Sequence, residues 1–133
     1  MTQEAAGSSP VRRTHGPDPP IRPITGSCTH SHTHYCIVRA DLPRGVLAAQ
    51  LIHAAGESSP GGLPKGTRAV ALAARDEPDL ARIERHLQQL CIDHRAIREP
   101  DPPWDGALMA IGLVPVCDRT TLRRALRRLP LLE

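Results

Sequence analysis

Tyr35-Cys36-Ile37-Val38-Arg39-Ala40-Asp41-Leu42 decides how this chain is read. Tyr35 to Arg39 is a short apolar run with β-branched residues, bounded by Asp41 and Pro43, and predicts a buried strand. Asp41 is then placed to cap a helix with Pro43 in its first turn. That helix runs through Val46-Leu47-Ala48-Ala49-Gln50-Leu51-Ile52-His53-Ala54-Ala55 and ends at Gly56 and Ser58-Ser59-Pro60-Gly61-Gly62. It is apolar almost all round, which predicts that it is buried.

Working outward, Arg68 to Ala73 reads as a second strand, and Asp76 and Pro78 start a second helix. Leu80, Ile83, Leu87 and Leu90 form one amphipathic stripe on it. Asp93 to Glu99 reads as a third strand and Ala107 to Leu113 as a fourth, with a proline-rich loop between them. No helix separates these two, so they are expected to be antiparallel neighbours. Asp118 or Thr120 caps a last helix with Leu122, Ala125, Leu126 and Leu129 on one face and four arginines on the other. The order βαβαββα predicts an α/β fold, a three-layer α/β/α arrangement around a four-stranded mixed sheet.

Residues 1–34 hold five of the fourteen prolines, with Gly, Ser, Thr and His and few apolar residues. Such a segment buries too little surface to offset its ordering entropy, so a disordered tail is expected before a domain over 35–133. The whole chain of 133 residues carries a net charge of +3, too small to imply a nucleic-acid binder by itself. No run approaches the ~18 apolar residues of a membrane span, and no apolar signal segment is visible. A cytoplasmic protein with reduced cysteines is the expectation.

Four constellations carry candidate chemistry. Cys28, His30, His32, His34 and Cys36 alternate in an extended run, which suits zinc in type but lacks the distant second ligand pair of structural sites; a solvated tail is the competing reading. Gln50, His53 and Glu57 share a helix face, either a cleft wall or a solvent edge, with Ser58 beside them. Glu99, Asp101 and Asp105 lie on a loop stiffened by prolines, where carboxylates can act as general bases; Trp104 there suggests a lid or a packing anchor. Arg123, Arg124, Arg127 and Arg128 can grip phosphates or simply form a solvated face.

At Ile37-Val38-Arg39-Ala40-Asp41-Leu42, with Ala48-Ala49-Gln50 and His53-Ala54-Ala55, the sequence resembles the type II peptidyl-tRNA hydrolases. The likeness extends through Met109-Ala110-Ile111-Gly112 to Leu129-Pro130-Leu131-Leu132, in the manner of a divergent bacterial branch. The resemblance implies an α/β fold and hydrolysis of the ester between a peptide and the 3′ end of tRNA. It implies tRNA as partner and no metal or other cofactor. Of the family's catalytic group, Val46 stands in place of the lysine, Glu99 matches the aspartate, and Ala107 falls where one threonine would be. Asp41, Gln50 and His53 match directly.

On this basis Glu99 or Asp101 would orient or deprotonate a water, His53 would be a second acid/base group, and Arg44 would steady a phosphate or oxyanion. Asp41, Gln50, Glu57, Ser58, Arg123 and Arg127 are the candidate substrate contacts. The alternative is a catalytically silent relative that binds tRNA or a protein partner through the same cleft. The sequence leaves the oligomeric state open, a homodimer included.

Overall fold

The structure, a computed structural model, describes residues 18–24, 28 and 31–133. Its elements are β1 (Thr33–Arg39), α1 (Arg44–Ser58), β2 (Arg68–Ala74), α2 (Glu77–Gln89), β3 (His94–Glu99), β4 (Ala107–Leu113) and α3 (Thr120–Leu126). The four strands form one mixed sheet in the order β2-β1-β4-β3. β1 pairs parallel with β2 and antiparallel with β4, and β3 pairs antiparallel with β4, as the missing helix between them predicts. The last residues add a short edge beside β2, where Leu131 bridges Leu72. No helix among the described residues is long and apolar enough to cross a membrane.

Two apolar clusters, one on each face of the sheet, define three layers. Leu80, Ile83 and Leu87 of α2 and Leu122 and Leu126 of α3 pack with Ile37, Leu72, Ile111 and Leu113. On the other face Ala54 of α1 packs with Cys36, Val38, Leu42, Met109 and Ala110. The α2 stripe is the predicted one, and Asp76 caps the helix by accepting from the Asp79 backbone N–H at 3.0 Å. Asp79 in turn accepts from the Arg75 backbone N–H at 2.9 Å.

α1 departs from expectation. Only Gln50, Ala54 and Ser58 are buried, while Ile52 is 74% exposed. The three buried residues recur every fourth position and make a narrow stripe of mostly small side chains. An all-round apolar sequence therefore lies on the sheet by one face. Asp41 does not cap it either: the helix starts after Pro43 with no side-chain cap, and Asp41 pairs with Arg39 instead.

What lets α1 approach so closely is Gly112 on β4. A Cβ built there would lie 2.2 Å from the Ala54 carbonyl oxygen and 2.5 Å from Ser58 Oγ. Further along β4, Ile97 pairs with Ala110 but Arg98 with Leu108, so Met109 is an extra residue. This bulge puts both Met109 and Ala110 on the α1 face.

The segment before β1 also differs. β1 begins at Thr33, two residues before the expected start, and Thr33 and His34 are 1% and 4% exposed. Among the described residues of the expected tail, Asp18 reaches Arg95 at 3.7 Å and the Pro19 carbonyl accepts from the same side chain. Residues 1–17, 25–27, 29 and 30 lie outside the described part. The expectation of four reduced cysteines fails for one pair: Cys28 and Cys117 form a disulfide with Cα atoms 6.1 Å apart, a separation such a bond accommodates. Cys36 and Cys91 are the free cysteines among the described residues.

Gly112→Ala is expected to destabilise the protein by roughly 3 kcal/mol, because the clash is with backbone that cannot swing aside. Gly56→Ala, on the open side of α1 with nothing within 4 Å, is expected to stabilise by about 0.5 kcal/mol. Urea denaturation of both variants, read at constant m-value, checks the pair.

Candidate functional site

β1 and β3 end, and β4 begins, at one edge of the sheet, and α1 starts above it. This edge gathers the polar residues singled out from the sequence. Beyond the bulge, Ile97 and Glu99 of β3 fall on the α1 face, two residues apart as strand alternation requires. Gln50, 4% exposed, donates from Nε2 to Glu99 Oε1 at 3.2 Å. The other Glu99 oxygen accepts from the Asp101 backbone N–H at 3.3 Å. The Gln50 Oε1 atom is buried and has no hydrogen-bond donor among the described residues. Such an orphan costs ~1–3 kcal/mol, so a donor at this position would gain strongly.

The loop between the strands is tied back on itself. The Gly106 N–H donates to the Glu99 carbonyl at 2.7 Å, and the Trp104 N–H to the Asp101 carbonyl at 2.9 Å. Gly106 has φ +89°, a left-handed value that glycine adopts freely. Trp104 packs against the α1-side core, so of its two sequence readings it serves as the anchor.

Arg39 was not singled out as a site residue, yet it organises the neighbouring part of this edge. Its guanidinium makes a two-pronged contact with Asp41, Nε to Oδ1 and Nη2 to Oδ2, both at 3.0 Å. It also donates to the Leu108 carbonyl at 3.3 Å and lies 5.7 Å from the centre of the Trp104 ring. The Arg39 guanidinium beside Asp41 holds that carboxyl below the usual carboxylate range. Glu77, at the start of α2, accepts from the Leu108 backbone N–H at 2.7 Å. The signal for Arg39 was present in its spacing from Asp41, since residues two apart at a strand end share a side.

None of the other candidates is joined to Glu99 by a hydrogen bond or ion pair among the described residues. His53 and Glu57 each precede a buried α1 residue by one position, a turn of about 100°, and both are exposed. Of the face read from their spacing, Gln50 is thus the buried member and His53 and Glu57 are open to solvent. Arg44 is exposed at the first position of α1, and the Val46 side chain packs into the core beneath that helix. Arg123 and Arg127 are exposed on α3, on the opposite face of the sheet from α1.

Ser58 is fully buried and committed to structure. Its hydroxyl donates to the Ala54 carbonyl at 2.8 Å, which leaves the oxygen to accept from His34 Nε2 at 2.8 Å. This network makes His34 a neutral imidazole protonated at Nε2. The alternating Cys/His run is likewise dispersed: Cys28 is in the disulfide, His34 holds Ser58, and burial pushes the Cys36 thiol up to about 11, which disfavours the thiolate a metal needs. His30 lies outside the described residues. No group of three or more metal-ligating side chains occurs among the described ones.

Compared with known proteins, the chain matches no protein-family model and no curated protein.

Burial lowers the pKa of His34 from its ordinary value. The folded state then binds fewer protons than the unfolded one, so stability is intact above pH ~6.5 and falls as pH drops below it. Thermal unfolding between pH 7.5 and 5.5 is expected to show this decline. His34→Gln should flatten it, and an equally steep decline in that variant would exclude His34 as the source.

Proposed function

We propose that the protein is a carboxylic-ester hydrolase acting on peptidyl-tRNA, with Glu99 as general base. One observation carries this: the buried Gln50 amide holds one Glu99 oxygen while its own Oε1 lacks a donor. A water placed between them would donate one proton to Gln50 Oε1 and the other to the Glu99 carboxylate. As Glu99 takes its proton, the water oxygen adds to the ester carbonyl carbon. Collapse expels the 3′ oxygen of the tRNA, which takes the proton that Glu99 had gained and so restores the carboxylate, and frees the peptide as a carboxylic acid. Gln50 is then a positioning residue, and Asp101 supports Glu99 through its backbone N–H.

The likeness of Val-Arg-x-Asp-Leu and Ala-Ala-Gln to the type II peptidyl-tRNA hydrolases supports the choice of ester. The cytoplasm, where tRNA is charged and used, is the compartment that goes with it. The Cys28–Cys117 disulfide is the feature that calls instead for oxidising surroundings. His53 has no part in the proton transfer proposed, since it is exposed and makes no hydrogen bond to Glu99 or Gln50 among the described residues.

A second reading, binding of tRNA without turnover, is favoured by Val46. An apolar side chain tucked into the core cannot supply the charge or proton that a lysine would.

Single-turnover hydrolysis of diacetyl-lysyl-tRNA tests both. Glu99→Gln is expected to slow the reaction about 10²–10⁴-fold, and His53→Ala to leave it within about twofold. Gln50→Ala should cost about tenfold or more by misplacing the water. Absence of turnover in the wild-type protein, with tRNA still bound, would select the silent relative.

A further inference from the structure

On the face of the sheet away from α1, a groove of about 850 Å³ separates α2 from α3. Arginines stand on both its sides. Arg82 and Arg85 come from α2, Arg75 from the turn before it, and Arg124, Arg127 and Arg128 from α3 and its end. The single carboxylate in the lining, Asp79, is only 6% exposed and is engaged by Arg75 and Arg82. Arg85, Arg124, Arg127 and Arg128 make no ion pair among the described residues and are exposed. Four unpaired guanidiniums thus share one concave surface.

We propose that this groove binds the phosphate backbone of a double-stranded RNA stem. Guanidinium is the group suited to two-pronged contact with phosphate oxygens, and arginines on two sides follow a cord of charge rather than a flat sheet of it. The lining contains no Phe, Tyr or Trp, and His86 is its one imidazole. The large stacking platforms usual for unpaired bases are therefore missing, and the groove favours contact with backbone irrespective of sequence. The lining also lacks exposed large apolar residues that would enter a bilayer. Ala40, the residue between Arg39 and Asp41, also lines the groove, which therefore reaches the end of β1.

The choice of RNA over DNA rests on the ester-hydrolase reading; the charge argument does not. Binding of a labelled RNA hairpin that carries no ester, followed by fluorescence anisotropy, separates the two. The log–log dependence of affinity on salt between 50 and 200 mM is expected to have a slope of about −3 to −4, four phosphates being neutralised. Arg85→Ser on one side, and Arg124→Ser with Arg128→Ser on the other, should each weaken binding about tenfold or more. Neither should move the melting temperature, because these side chains hold nothing in place. Arg68→Ser, exposed outside the groove, should stay within about twofold. Groove variants that bind the hairpin as wild type overturn the proposal. So does tighter binding of a DNA duplex of the same sequence, or binding to phosphatidylserine vesicles with none to RNA. Hairpin binding lost in the groove variants while the wild type shows no ester hydrolysis supports the groove and removes only the hydrolase assignment.

Discussion

The close contact of α1 with β4 at Gly112 is the constraint from which the rest of the molecule follows. A helix normally stands off a sheet by the thickness of its side chains. Here the Ala54 carbonyl and the Ser58 hydroxyl occupy the space that any Cβ at residue 112 would take. The contact fixes the rotation of α1, because only its Gln50-Ala54-Ser58 face is slim and polar enough to enter. That rotation delivers Gln50 to Glu99 at one end and Ser58 to His34 at the other. One missing methyl group thereby aligns both a structural hydrogen bond and the candidate site.

The same constraint explains which parts of the fold were legible. The α2 stripe, the capping Asp76 and the apolar β4 follow from local periodicity and local chemistry, and they stand as expected. α1 misled because composition was read in place of contact: Ala48, Ala49 and Ile52 are apolar yet face outward. An alanine-rich helix can rest on a sheet by any face, and the choice was made by Gly112, 58 positions after Ala54 in the chain. The start of β1 was hidden for a similar reason. Thr33 and His34 look like tail residues, but Thr33 exchanges backbone hydrogen bonds with Val116 and His34 is satisfied by Ser58. Nor does sequence alone bring Cys28 to Cys117.

At the candidate site, sequence spacing identified the right neighbourhood but not the right partners. Gln50 and Glu99 lie 49 positions apart and meet because strand alternation after Ile97 puts Glu99 on the sheet face that α1 covers. His53 and Glu57 were grouped with Gln50 by a three-and-four spacing that a helix does honour on average. The narrowness of the contact with the sheet leaves both of them exposed. Asp41 was read as a cap, yet the guanidinium two residues earlier is the better partner. A charged group with two matched donors outbids an exposed backbone N–H for a carboxylate.

The net charge of +3 conceals a segregated distribution. Asp41, Glu77, Glu99, Asp101 and Asp105 cluster where β1 and β3 end, around the paired Arg39. Four arginines with no acidic partner among the described residues, Arg85, Arg124, Arg127 and Arg128, collect instead between α2 and α3. A polyanion is repelled by the first region and attracted by the second, so its charge alone would keep it from lying across the carboxylates. In the proposed function, a weakly charged end such as an ester beyond the last phosphate would enter the acidic edge while the backbone stays among the arginines. Separation of charge on so small a domain would, for such a substrate, act as an orienting device. A summed charge could not reveal it, because the two regions nearly cancel.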